Sequence, residues 1–181
     1  IAGLSMAVWI AQAQSPSIVR ITVPVSKNLA HILSEKKISE ISLIQVQSEM
    51  LAYINILRTQ YGLQKLKLYN NLIAQDHSVY LSSSKKDLSI DFDDHFGPDG
   101  ESILARVENA KIPIDEDCRW GCKRASENLA SSNMTIKQTV DMWMQSTSGH
   151  AENILSSSFD AIAIWCAPGG NNVVAVFLNL K

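Results

Sequence analysis

The chain has 181 residues and a mass of 20.0 kDa, the size of one domain at about 100–200 residues each. A hydrophobic fraction of 46% with 19% charged residues excludes a disordered polymer and a coiled coil. Sixteen Lys and Arg against eighteen Asp and Glu leave a net charge of -2, which argues against a nucleic-acid partner; no run reaches about 18 apolar residues, so no integral membrane span is expected.

Residues 1–13 are apolar apart from Gly3, Ser5 and Gln12 and end in Ala11-Gln12-Ala13. They read as the apolar region and cleavage site of a truncated secretory signal. Residues 14–40 read as leader or linker; Ile18, Val19, Ile21, Val23 and Val25 would suit a strand, but Pro24 demotes it to an edge or an extended arm. The domain itself is expected over 41–181.

Its strongest helical pattern spans 41–60, with Ile44, Met50, Leu51, Ile54 and Leu57 as one apolar stripe and Gly62 as the stop. A second helix is expected over 71–83, capped by Asn70. Residues 84–99 read as a surface loop carrying Asp91, Asp93, Asp94 and His95. Gly100 to Ala110 reads as a third helix with Ile103, Leu104 and Val107 inward, stopped by Pro113. Residues 111–126 form a loop that carries Cys118 and Cys122.

A fourth helix runs from Thr135 to Gln145, with Thr135 as cap and Ile136, Val140, Trp143 and Met144 on one face. A short turn of helix over 151–155 follows. Then the period changes: 159–167 and 172–180 are β-rich runs joined by Ala167-Pro168-Gly169-Gly170-Asn171. Helices first and a hairpin last give an α+β layered pattern rather than alternating βαβ units.

Common enzyme signatures are absent: no Gly-x-Ser-x-Gly elbow, no His-Glu-x-x-His, no phosphate loop and no dinucleotide glycine fingerprint. Among the four histidines, His31 lies in the leader, and His77 on the second helix reads as a surface or half-buried side chain rather than a ligand. His95 and His150 sit in loops, where functional residues concentrate. Of the three cysteines, Cys166 could pair with Cys118 or Cys122 in a secreted chain, leaving one thiol over. Asn133-Met134-Thr135 is a glycosylation sequon, with Asn133 as acceptor in a eukaryotic secretory route.

Several segments occur in a telling order: Asn55 to Arg58 within Tyr53–Leu63, then His95, then Ser126-Glu127-Asn128-Leu129-Ala130, then Trp143-Met144-Gln145-Ser146 and Ser148-Gly149-His150-Ala151-Glu152-Asn153-Ile154-Leu155. Over about residues 45–180 this resembles the compact branch of the CAP superfamily (cysteine-rich secretory proteins, antigen 5 and pathogenesis-related proteins). Its motifs read like Asn-x-x-Arg, Gly-Glu-Asn-Ile-Ala and Trp-Met-x-Ser-x-Gly-His-Arg-x-Asn-Ile-Leu. The resemblance implies a three-layer α-β-α sandwich with a small central antiparallel sheet. It also implies an open cleft lined by two His and, in many members, two acids.

Carried over by motif, the cleft residues are His95, Glu127 and His150. The histidine pair would hold zinc or another divalent metal, with the carboxylate orienting an imidazole or binding directly. The sequence departs from the pattern at Ser126 in place of Gly, at Ala151 in place of Arg, at Asp76 in place of Ala, and at Gln145, Ser146 and Thr147, none of which supplies the second acid. Asn55, Arg58, Asn128 and Asn153 are expected to hold backbone, and Trp143 to be core. The resemblance implies a secreted protein that acts by binding, with a lipid, a sterol or an extracellular protein as partner. The alternatives are a hydrolase using the histidine pair with Ser126, Ser146 or Ser148 as nucleophile, and a purely structural extracellular interaction module.

Overall fold

A computed structural model of the chain describes residues 33–84, 92–115, 124–169 and 171–180. The expected signal at 1–13, most of the leader, Asp91, and Cys118 and Cys122 lie outside them. No helix among the described residues is long and apolar enough to cross a membrane.

Among the described residues, five α-helices and four strands follow in the order α1 (Leu43–Gln60), β1 (Lys67–Leu68), α2 (Ile73–Ser83), α3 (Ile103–Asn109), β2 (Ala125–Ser131), α4 (Ile136–Gln145), α5 (His150–Leu155), β3 (Ala161–Cys166) and β4 (Asn172–Leu178). The strands form one sheet in the order β1-β3-β4-β2. β3, β4 and β2 pair antiparallel, while β1 lies parallel to β3. The small central sheet is thus antiparallel in its three longer strands, with the two-residue β1 as a parallel edge. Parallel neighbours need a long crossover, and everything from α2 to α5 lies between β1 and β3.

Side chains alternate across a strand, and β4 feeds both layers. Val173, Ala175 and Phe177 meet α1, α4 and α5 on one face; Val174, Val176 and Leu178 meet α2 and α3 on the other. β3 divides likewise, with Ile162 and Ile164 on the first face and Ala161 and Ala163 on the second. This is the three-layer α-β-α sandwich.

Helix ends follow the local chemistry. The Thr135 hydroxyl accepts from Gln138 N–H, and the Gln138 side chain accepts from Thr135 N–H, a reciprocal cap that starts α4. Gly62, at φ +70°, ends α1: its N–H reaches Thr59 O, and Leu63 N–H reaches Arg58 O at 2.9 Å, the paired bonds of a left-handed cap. The expected side-chain cap of α2 by Asn70 is not formed, and the N-cap position falls on Leu72 with no side-chain bond. Asn71, not Asn70, accepts from Ile73 N–H at 3.0 Å, because the helix begins at Ile73.

The stripe of α1 also differs from expectation. Ile44 is 78% exposed, and the buried face is Val46, Met50, Tyr53, Ile54 and Leu57. Ile44 lies two residues outside the phase that Val46 sets, and so points away from the sheet. Upstream, a 3-10 turn at Ile38–Glu40 sets Ile38 into the main core at 1% exposure. The packed unit thus includes the end of the segment read as linker.

Asn55 and Arg58 hold backbone as expected. Asn55 bonds both the C=O and the N–H of Leu66. The buried Arg58 guanidinium donates to the carbonyls of Gln64, Ile154, Ser156 and Phe159. Trp143 is fully buried and donates to Leu129 O. Cys166 is buried on β3 and, among the described residues, is in no disulfide; Asn133 is exposed in the turn before α4.

Candidate functional site

The site grows from β2, an edge strand paired with β4 so that Glu127 stands opposite Val176 and Asn128 opposite Ala175. Successive residues point to opposite faces. Glu127 therefore faces the α2–α3 layer, and Asn128 faces α5.

Glu127 is 4% exposed and is met by three side chains. His77, on the inner face of α2, places Nδ1 at 2.7 Å from Oε1. His95, closing the 3-10 turn Phe92–His95, places Nδ1 at 3.1 Å from Oε2. Arg106 of α3 donates from Nη2 to both oxygens, at 3.0 and 3.1 Å, and to the His95 carbonyl at 3.2 Å. An ionised carboxylate only accepts, so both imidazoles carry their proton on Nδ1. Burial alone would raise the Glu127 carboxyl. The hydrogen bonds from His77 and His95, with the charges of His77 and Arg106, outweigh it and hold the group at about 2.

The opposite face of the strand positions His150. Gly149, at φ +91°, enters α5 in the left-handed region that favours glycine, so His150 becomes the first residue of the helix. Its carbonyl accepts from Asn128 Nδ2 at 3.1 Å, and Asn128 Oδ1 accepts from Asn153 Nδ2 at 2.8 Å. Its Nδ1 lies 2.8 Å from Ser146 Oγ. Burial, and then the charge of His95, push the His150 imidazole below its ordinary value. The His95 and His150 rings stand 6.3 Å apart between centroids.

The structure thus brings together all three expected cleft residues, His95, Glu127 and His150. It corrects the reading of His77, which is 2% exposed and bonded to Glu127 rather than at the surface. His77 and Arg106 are the residues that sequence reasoning missed. The apolar stripe of α2, Ile73, Ala74, His77, Ser78 and Leu81, carried a signal: a histidine in phase with core positions needs a polar partner inside.

Where the missing second acid was expected, Ser146 Oγ stands 2.8 Å from His150 Nδ1 and can accept its proton in a hydrogen bond. Both Glu127 oxygens are engaged, so the donors left for a cation are Nε2 of His95 and Nε2 of His150. Two imidazoles whose other nitrogens are hydrogen-bonded suit zinc chemically. No cluster of three or more His, Cys, Asp or Glu side chains able to hold a metal occurs among the described residues.

Two open grooves lie on the α1–α4 layer. One, about 660 Å³, follows α4 from Met134 past Gln138 and Met142 to Ser146. The other, about 510 Å³, lies on the outer side of α1 against β1, with Ile44, Leu51, Ile56 and Leu68 as its apolar wall.

The sequence model of the cysteine-rich secretory protein (CAP) family matches residues 51–179. No curated protein matches. Among solved structures, an outer surface protein of Borrelia burgdorferi is similar, with a TM-score of 0.62 and 18% identity over 78% of this chain and 97% of that one. An extracellular protein containing an SCP domain from Bacillus anthracis has a TM-score of 0.58 and 18% identity over 77% of this chain. A cysteine-rich secretory protein of Staphylococcus aureus has a TM-score of 0.56 and 16% identity over 76% of this chain. The chain spans 41% of the length of the Bacillus protein and 39% of the Staphylococcus protein.

Proposed function

Because the chain belongs to the cysteine-rich secretory protein (CAP) family, we propose that it is a secreted binding domain whose cleft presents His95 and His150 to a divalent cation such as zinc. The observation that carries this reading is the convergence of the two imidazoles at 6.3 Å, with Glu127 behind one and Ser146 behind the other. A metal-binding histidine almost always donates its second ring nitrogen to such a partner, which fixes the ring and its tautomer. Zinc held by two imidazoles keeps positions open for a donor from a partner, such as a carboxylate or an imidazole. The chain's own part is to hold the rings and leave that side open.

Native mass spectrometry of the chain with and without zinc tests this. One zinc bound at micromolar concentration and lost in both His95→Ala and His150→Ala is the expected result. No adduct, or one indifferent to both changes, overturns the reading. An indifferent adduct would point to the cysteines instead.

A second reading rests on one contact. Ser146 Oγ at 2.8 Å from His150 Nδ1 is the distance of a serine nucleophile from its base, and Ser148 N–H also reaches that oxygen. Ser146→Ala separates the two readings. As an orienting group lost from a metal site it weakens zinc by about 10–100-fold; as a nucleophile lost from a hydrolase it abolishes ester turnover. For a lipid or sterol, the open groove beside α1 with its apolar wall is the candidate seat, and solvent extraction of the purified protein reads its cargo directly.

A further inference from the structure

The geometry points to His77 and Arg106 as positioning residues that aim Glu127 so that it holds His95 with the proton on Nδ1 and the Nε2 lone pair toward the cleft. This rests on the reading of His95 as a ligand-binding residue.

Each Glu127 oxygen is held on two sides: Oε1 by His77 and Arg106, Oε2 by Arg106 and His95. The plane of the carboxylate is thereby fixed. Arg106 goes further, because the same Nη2 that grips Glu127 also bonds the carbonyl of His95. One guanidinium nitrogen thus holds both the backbone of His95 and the group that holds its ring. Of the three partners, His95 is the most exposed: its side chain is 31% exposed, against 0% for His77 and 10% for Arg106. The cluster is therefore a buried support with one outward member.

A purely structural role fits poorly. A buried ionic cluster is often replaceable by packed apolar side chains without loss of stability. This one also leaves His77 Nε2, Arg106 Nε and Arg106 Nη1 buried with no hydrogen-bond partner among the described residues.

The test is nitrogen-15 NMR of the histidine rings in the metal-free chain at mildly alkaline pH, where imidazoles are neutral. In the parent, His95 is expected as the Nδ1–H form alone. His77→Leu removes one donor and frees the carboxylate to turn, so both tautomers of His95 appear and zinc binds about 10–100-fold more weakly. His77→Asn, whose amide nitrogen falls near the lost Nδ1, restores the parent pattern. Arg106→Lys, which keeps the charge but not the fork, serves if His77→Leu does not fold, with the same mixed tautomers expected.

A folded His77→Leu or Arg106→Lys variant with an unchanged His95 tautomer overturns the inference, even if zinc binds the parent. A mixed tautomer in either variant, together with no zinc bound by the parent, upholds the positioning role and sinks the metal reading alone.

Discussion

Glu127 is a buried charge, and its cost is offset only while its three partners hold. A carboxyl whose folded value lies below its unfolded one stabilises the folded state at every pH above the unfolded value. That contribution disappears as pH falls through the folded value. For Glu127 the window runs from its ordinary 4.5 down to about 2, a displacement corresponding to about 3 kcal/mol. Glu127→Gln should therefore be less stable than the parent at neutral pH, because Arg106 is left buried without its counter-charge. The gap should narrow by about 3 kcal/mol as pH drops across that window, read from urea unfolding at a series of pH values. A gap that stays constant would mean that the cluster does not hold the carboxyl down. At this scale His95, Glu127 and His150 were legible in the sequence because each sits in an ordered motif. His77 and Arg106 were not, because their roles exist only once α2 and α3 cover the same face of β2.

Elements were legible where one period dominates. The four longer helices and the terminal hairpin stand close to their expected bounds, since apolar spacing and caps agree there. β2 was hidden because its residues, Ala-Ser-Glu-Asn-Leu-Ala-Ser, replace apolar alternation with side chains that hydrogen-bond on both faces. β1, at two residues, is too short to show any period. What locks these elements together is more polar than the stripes suggest. Arg58 ends α1 by binding four carbonyls, from Gln64 through Ile154 and Ser156 to Phe159, and so joins α1 to α5 and to the approach of β3. No carboxylate is needed, because the partial charges of the carbonyls surround the guanidinium. Arg58→Lys offers one ammonium with three donors to a site shaped for a planar fork, and it leaves buried carbonyls unpaired. The expected loss is about 3 kcal/mol, at about 1–3 kcal/mol for each unmet group. A urea midpoint within error of the parent would show that the lysine and water replace the fork.

At the scale of the whole molecule, β4 is the common wall of both cores, with all seven residues buried, and the helices on either side close the two layers independently. The boundary of that packed unit was the least legible feature, because residues 14–40 lack a clear period and read as leader or linker, and the described part of them, 33–40, packs with the domain. The contacts explain the miss: Ile38 N–H bonds Met134 O, Ser39 N–H bonds Ser132 O, and Lys37 bridges Thr135. The segment is held by the β2–α4 turn, a partner that lies about a hundred residues downstream in a chain of 181 residues. Two isoleucines then give a test that cancels side-chain chemistry. Ile38 at 1% exposure and Ile44 at 78% lie on opposite sides of the expected boundary at 41, and the sequence alone places the important one inside it. Burial reverses that order. Ile38→Ala should cost about 2–5 kcal/mol through lost burial and the cavity left behind. Ile44→Ala should stay within about 0.5 kcal/mol of the parent. If unfolding of the two variants ranks them the other way, the domain starts where the hydrophobic period starts and the turn at Ile38–Glu40 is not part of its core.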